Sequence, residues 1–355
     1  MHSLSELGFG PFFEEKVPDS ELIVGRIAAE HRGGYEVWSS IGDGFARLAG
    51  RLARDLDHEA FPGVGDWVTL RVPPGPDRTS IIDGVLARRT VFIRGAAGRQ
   101  TRGQVVAANV DIVFVVCGLD GDYNLRRIER YLARIWASGA QPMVILNKAD
   151  VCEDILERSA EVESVCLGVQ VLVTSALLSQ GLEPIKEQLV SGITAAFVGS
   201  SGAGKSTLVN KLLGEEKIAT KEVRTSDSRG RHTTTHRQLF LLPQGGLVID
   251  TPGMRELQLF DEEGIDTVFS DIDAFSEFCR YKDCTHQAEP GCAVQEAVAK
   301  GDISADRMGH FLKMASEAQA YEVRRDKRRQ READRAFSKR IARDTKIIRR
   351  WKGGE

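Results

Sequence analysis

Apolar and polar positions alternate in two different ways along this chain. Over residues 21–95 short runs (Leu22-Ile23-Val24-Gly25, Tyr35-Glu36-Val37-Trp38, residues 67–72 and Ser80-Ile81-Ile82) are separated by Gly33-Gly34, Gly42-Asp43-Gly44, Gly63-Val64-Gly65 and Pro73-Pro74-Gly75-Pro76. Half-buried strands joined by tight turns give this texture, because Gly and Pro supply backbone geometries that strand interiors exclude. The expected element is a small closed β-barrel, OB-like in its functional form; a purely structural barrel or sandwich is the alternative. From about Gln104 the apolar runs become nearly continuous, at residues 111–116, 142–146 and 195–198, and at 169–173 if the polar Gln170 is allowed. Such runs predict strands buried on both faces of a parallel sheet. Between them, Ile128, Tyr131, Leu132 and Ile135 recur at helical spacing within residues 125–138, and alternating strand and helix predicts an α/β domain. The last segment, from about Leu257, is rich in helix formers and has few turn signals after Gly309.

These patterns give a multidomain α/β chain: an N-terminal extension over 1–20, a barrel over 21–97, an α/β domain over 98–260, a cysteine-bearing α-helical domain over 261–320 and a tail over 321–355. A length of 355 residues fits two or three domains. With 42% hydrophobic and 28% charged residues the composition is that of a soluble globular protein. No apolar run approaches the roughly 20 residues of a membrane span. Glu14, Glu15 and Asp19 spoil any signal pattern at the start, so a cytoplasmic protein without a membrane partner is expected. The net charge of −3 conceals an asymmetry: the tail carries fourteen Lys/Arg against six Asp/Glu, or +8, leaving −11 for the other 320 residues. A basic tail on an acidic body suits a polyanionic partner, and a solvated charged helix is the plain alternative.

Three motifs carry nucleotide chemistry. Gly199-Ser200-Ser201-Gly202-Ala203-Gly204-Lys205-Ser206 follows an apolar strand and opens a helix, the context of a phosphate loop. Its glycines let backbone N–H groups surround the β-phosphate, Lys205 reaches the β/γ-phosphates, and Ser206 is placed to ligate Mg²⁺; Thr207 completes the set. Asn147-Lys148-Ala149-Asp150 also ends a strand. The Asp150 carboxylate can accept hydrogen bonds from guanine N1–H and its exocyclic amine, which adenine cannot offer. Thr174-Ser175-Ala176 suits the loop whose backbone touches the guanine oxygen, so Ser175 and Ala176 join the GTP-binding set. Asp250-Thr251-Pro252-Gly253 ends a third strand, with Asp250 set to hold a Mg²⁺ water and Gly253 to offer its N–H to the γ-phosphate. Ligands collect at such strand ends. The order is unusual, because the base-reading motif precedes the phosphate loop.

Between the phosphate loop and Asp250 lies Arg229-Gly230-Arg231-His232-Thr233-Thr234-Thr235-His236. One threonine there should complete the Mg²⁺ shell; Thr234 is the choice, with Thr233 and Thr235 close behind. Met254 stands where many GTPases place a water-orienting glutamine, so hydrolysis must borrow another polar group. His232 is favoured over His236 as the catalytic residue; a loop cap or an RNA contact is the competing role. Downstream, Cys279, Cys284, His286 and Cys292 offer three thiolates and an imidazole, a closed set for one structural zinc, whereas Cys117, Cys152 and Cys166 are isolated.

Together these residues resemble the RsgA (YjeQ) family of circularly permuted bacterial GTPases that act in maturation of the small ribosomal subunit. The resemblance spans nearly the whole chain and rests on the permuted motif order, the 230–235 stretch and the zinc spacing. It implies an oligonucleotide-binding barrel, a circularly permuted P-loop GTPase domain, a C-terminal zinc domain, and GTP hydrolysis stimulated by the 30S subunit, with a role for His232. The expected partner is the 30S subunit and its rRNA, reached as a monomer, with hydrolysis driving release. A GTP-regulated RNA-binding module with incidental hydrolysis is the rival from a different class, and a metabolic phosphoryl-transfer enzyme is a third.

Overall fold

The structure is a computed structural model that describes residues 2–18, 22–56, 58–75, 78–95, 103–218, 237–250, 263–320 and 322–323. The chain divides into two compact units, Met1–Gln258 and Leu259–Glu355. The first begins with five strands: β1 (Ile23–His31), β2 (Gly34–Ser39), β3 (Gly42–Leu48), β4 (Trp67–Leu70) and β5 (Ser80–Val85). β1 pairs antiparallel with both β2 and β4, β2 with β3, and β4 with β5, while β3 and β5 run parallel, so the ring closes. Ile27, Val37, Ala46, Val68, Leu70 and Ile82 fill it. Four of the five strands fall on the expected apolar runs. β3 does not: Gly42-Asp43-Gly44 was expected as a turn, yet Asp43 pairs with Trp38 and Gly44 with Val37. The backbone of Gly75 packs where a Cβ on Gly44 would stand, 2.6 Å from it, so this glycine serves close approach within a strand.

A hairpin of β6 (Val91–Gly95) and β7 (Gly103–Ala108) follows, and the boundary expected at 97/98 falls between its strands. The α/β sheet is built from β8 (Ile112–Gly118), β9 (Gln141–Asn147), β10 (Val171–Val173), β11 (Thr194–Val198), β12 (Gln238–Leu241) and β13 (Leu247–Asp250). Their spatial order is β10-β9-β8-β11-β13-β12, parallel except for the antiparallel edge strand β12. Helices Leu125–Ala137, Ile155–Val165, Glu183–Gln188 and Lys205–Leu213 accompany it. Asn124 starts the first of these by accepting the Arg127 N–H at 3.0 Å, an N-cap that ends the preceding loop. Phe114, Ile145, Ala195, Leu208 and Val248 are among the residues buried in this layer's core.

Barrel and sheet are continuous. β12 pairs with β1 at Ala29↔Gln238, next to a register shift in the β1–β2 ladder between Ile27 and Ala29. The seam is closed by Arg26, only 1% exposed. Its guanidinium donates to Thr194 Oγ1 at 2.8 Å, Asn109 O at 3.0 Å, Gly65 O at 3.2 Å and the Leu7 carbonyl, and lies over the Trp67 ring. Burial pulls its pKa down to about 10. The N-terminal residues, given no role above, belong to this seam: Leu7 and Phe13 are buried, and Phe9 meets Trp67 edge-on with centroids 4.8 Å apart.

In the second unit, helices Glu263–Val268, Ser270–Ser276 and Ala293–Lys300 and a helix over residues 305–320 surround Phe269, Ile272, Val294 and Met314. Arg307 holds Asp271 at 2.6 Å across the face of Phe269. Among the described residues no helix is long and apolar enough to cross a membrane. The tail beyond Val323 lies outside the described residues.

Candidate functional site

Three loops at the ends of β9, β10 and β11 converge, and one buried side chain joins them. Asn147, 1% exposed, donates through Nδ2 to Ala203 O of the phosphate loop at 2.8 Å. Its Oδ1 accepts from Ala176 N at 3.0 Å and from Thr174 Oγ1 at 3.1 Å. An amide side chain is needed here because one residue must donate to one loop and accept from another. The sequence order of the motifs is thus irrelevant to the site: parallel strands bring residues 147, 176 and 203 to one sheet edge.

The phosphate loop depends on glycine at two places. Gly199 has φ +141° and its missing Cβ would stand 2.1 Å from Val116 O; Gly204 has φ +97° and its Cβ would stand 2.1 Å from Asn147 Nδ2. Only glycine combines a left-handed backbone with that proximity. Lys205 begins the helix Lys205–Leu213 and donates from Nζ to Gly199 O at 2.8 Å and to Ser200 O. Ser200, Ser201, Gly202 and Ala203 form the turn ahead of it, and Ser206 and Thr207 occupy the helix's first turn, where N–H groups lack helical partners. In the base-reading motif Lys148 adopts a left-handed backbone (φ 66°), Ala149 and Asp150 start a single turn of helix, and Ser175 Oγ donates to Asp150 Oδ1 at 2.5 Å. Asp250 ends β13 opposite Gln238. His232, Thr233, Thr234, Thr235, His236 and Gly253 lie outside the described residues.

Sequence reasoning missed the loop after β8. Asp120 pairs with Lys148 Nζ at 2.5 Å, and Asp122 accepts from Ser200 Oγ while pairing with Arg127 at 3.0 Å. One loop therefore holds both the base-reading lysine and the first serine of the phosphate loop. Desolvation pulls the Asp120 carboxyl up, but hydrogen bonds from Lys148 and the Asp122 N–H together with the Lys148 charge outweigh it and leave the pKa below its ordinary value. The sole hint in sequence was two aspartates at a strand end.

The cysteine cluster has metal geometry. Cys279 Sγ and Cys292 Sγ are 3.8 Å apart, and His286 Nδ1 lies 3.6 Å from the first and 3.5 Å from the second. With Cys284 Sγ, all four ligand atoms lie within 4.8 Å of one another. Bonds of about 2.3 Å to sulfur and about 2.0–2.1 Å to nitrogen make the edges of a zinc tetrahedron about 3.8 Å and about 3.6 Å. The donor set could therefore hold one zinc. Glu289 shapes the ligand loop by accepting from Thr285, Gln287 and Ala288 N–H groups at 2.9–3.1 Å. Cys292 Sγ also caps the helix Ala293–Lys300, accepting Gln295 N–H at 3.4 Å.

The sequence model of the RsgA GTPase family matches residues 85–260. An ABC-transporter model matches 182–339, which contains the phosphate loop but neither Asn147 nor Asp150. The chain is 44% identical over 336 residues to the small ribosomal subunit biogenesis GTPase RsgA of Opitutus terrae, covering 91% of each. It is 45% identical over 296 residues to RsgA 2 of Lactiplantibacillus plantarum, covering 83% of each. Among solved structures, YjeQ from Thermotoga maritima superposes with a TM-score of 0.63 at 27% identity, over 84% of this chain and 99% of that one. The circularly permuted GTPase YloQ gives 0.62 at 24% identity, over 85% and 96%, and bears on the fold alone. A base-reading loop, a phosphate loop and a Cys₃His cluster in this permuted order, on a chain this similar to these relatives, mean that the protein belongs to the RsgA family of GTPases, enzymes that hydrolyse GTP to GDP and phosphate.

Proposed function

We propose that this GTPase binds the small ribosomal subunit during its late maturation, hydrolyses GTP there, and leaves. The observation that carries the reading is the Asn147 junction, which ties base-reading and phosphate-binding loops into one guanine-nucleotide site, on a chain 41–45% identical to GTPases named for small-subunit biogenesis. In this reading Asp150 accepts from the guanine N1–H and amine, with Ser175 fixing its carboxylate. Backbone groups of residues 199–204 and the Lys205 ammonium take the β- and γ-phosphates. Ser206, Asp250 through water, and Thr234 are the residues that would hold Mg²⁺, which neutralises charge developing on the phosphate oxygens. Gly253 reads the γ-phosphate, and His232 orients the attacking water. Zinc on Cys279, Cys284, His286 and Cys292 holds the C-terminal domain in shape, and rRNA meets the barrel, that domain and the basic tail. The protein acts as a cytoplasmic monomer, with domain limits at 20, 97, 260 and 320.

Turnover measured with and without purified small subunits tests this. A rise of orders of magnitude is expected; an unchanged rate removes the ribosomal reading. His232→Ala should lower stimulated hydrolysis at least tenfold while sparing GTP affinity, and normal turnover excludes it from the mechanism. Equal release from subunits in GTP and in a non-hydrolysable analogue argues against hydrolysis-driven departure and favours the binding-module alternative.

A further inference from the structure

In the sheet, β8 lies between β9, which ends in the base-reading loop, and β11, which ends in the phosphate loop. The segment after β8 therefore emerges between the two loops, and its aspartates are tied to both and to each other. Asp120 Oδ2 accepts from Lys148 Nζ at 2.5 Å, while Asp120 Oδ1 accepts the Asp122 N–H at 3.2 Å. Asp122 Oδ2 accepts from Ser200 Oγ, and the Ser200 carbonyl accepts from Lys205 Nζ. One chain of hydrogen bonds thus runs from Lys148 through Asp120, Asp122 and Ser200 to Lys205, joining the lysines of the two motifs. The segment is also held from outside. Arg127 of the helix Leu125–Ala137 donates to Asp122 O at 2.6 Å and pairs with its Oδ1 at 3.0 Å. Tyr123 OH donates to Glu161 of the helix Ile155–Val165 at 2.7 Å, with the Arg158 guanidinium over its ring. Leu119 N–H donates to Asn147 O at 2.8 Å. Gly118 leaves the space for this arrangement, since a Cβ there would stand 2.6 Å from Asp120 Oδ1.

We propose that Asp120 and Asp122 couple the base subsite to the phosphate subsite, acting as positioning residues that set Lys148 and Ser200 together for one guanine nucleotide. This rests on the reading that residues 147–150 take the base and residues 199–206 the phosphates. Each carboxylate can only accept, and each accepts from groups on two sides, so neither turns without releasing a neighbour. Such a network acts as a unit, and breaking it at one member loosens the members on both sides. A ligand that fills both subsites gains from the coupling, whereas one that fills the base subsite alone does not. Coupling in the usual range changes an affinity by about 5- to 150-fold.

The test measures affinity for GDP and for guanosine, by competition against a fluorescent GDP, in wild type, Asp120→Ala, Asp122→Ala, Ser200→Ala and the double variant Asp120→Ala with Ser200→Ala. Each single variant is expected to weaken GDP binding about tenfold. The double variant should be no weaker than the worse single one, whereas independent losses would multiply to about a hundredfold. Guanosine should bind Asp122→Ala within about twofold of wild type, because it lacks the phosphates that Ser200 helps to place. Asp122→Asn keeps an acceptor for Ser200 and should recover most of the GDP affinity. Losses that multiply overturn the coupling, and so does wild-type GDP affinity in Asp122→Ala. An equal loss of GDP and guanosine in Asp122→Ala also overturns it, since the segment would then only hold the fold. A wild-type protein that binds ADP as well as GDP sinks the reading of the two subsites itself, a result distinguishable from these.

Discussion

At the scale of single residues the proposed reading of guanine by Asp150 rests on which atoms donate. Asp150 can only accept, and Ser175 Oγ spends its proton on Asp150 Oδ1, leaving the other carboxylate oxygen and remaining lone pairs for a ligand. Guanine offers two donors on that edge, whereas xanthine replaces the amine with a carbonyl. Asp150→Asn is therefore expected to weaken GTP binding by about two orders of magnitude and to strengthen binding of xanthosine triphosphate, read by competition against a fluorescent nucleotide. Unchanged preference would mean that Asp150 does not face the base. The place of Asp150 after a strand was legible in sequence because its motif is a local word at a strand end. Arg26 was not: it stands just past the run Leu22–Gly25, and its partners Asn109 and Thr194 lie 83 and 168 residues away. Single-sequence periodicity sees neighbours, and a buried cation needs acceptors that only the tertiary fold collects.

Elements were legible in proportion to how local their causes are. The parallel strands and the helix Leu125–Ala137 follow from continuous apolar runs and a 3.6-residue stripe, and both stand close to where they were expected. β3 did not, because Gly44, which reads as punctuation, instead admits the backbone of Gly75, and the β6–β7 hairpin straddles the expected boundary. The cysteine module is the element on which a bound metal would bear most. Its helix Ala293–Lys300 is eight residues long and starts at a ligand, with Cys292 capping Gln295 N–H. A helix that short is marginal alone, so a zinc held by these four residues would supply order that local propensity cannot. Removing zinc with a strong chelator should expose residues 279–300 to limited proteolysis and lower helicity. GTP affinity should change less than about twofold, since Asn147, Asp150 and Lys205 all belong to the other unit. Full protease resistance after chelation, with metal release confirmed by a colorimetric indicator, would show that the cluster folds without a metal.

For the whole molecule, permutation changes what the chain ends carry without changing the nucleotide site. Six strands of the α/β sheet assemble in one spatial order although the base-reading strand β9 precedes the phosphate-loop strand β11 in the chain, and the freed N-terminal side is occupied by a barrel that the sheet extends into. That extension needs a seam, and the seam is polar. Arg26 satisfies three backbone carbonyls and one hydroxyl from four separate segments, with Leu7 O drawing in the N-terminal residues that no motif accounted for. Arg26→Ala removes the guanidinium donor from Leu7 O, Asn109 O and Thr194 Oγ1, while Gly65 O keeps the Asn109 Nδ2 donor at 3.1 Å, and each buried group left unpaired costs about 1–3 kcal/mol. A loss of at least about 3 kcal/mol is expected, measured as a shift in the urea midpoint of the first unit's transition. Arg26→Lys should recover little of it, because one ammonium on a flexible stem cannot serve acceptors spread around a planar fork. Residues 2–18 should become protease-sensitive in both variants, while a Lys variant of wild-type stability would show that charge alone, and not the guanidinium's geometry, holds barrel, N-terminal segment and sheet together.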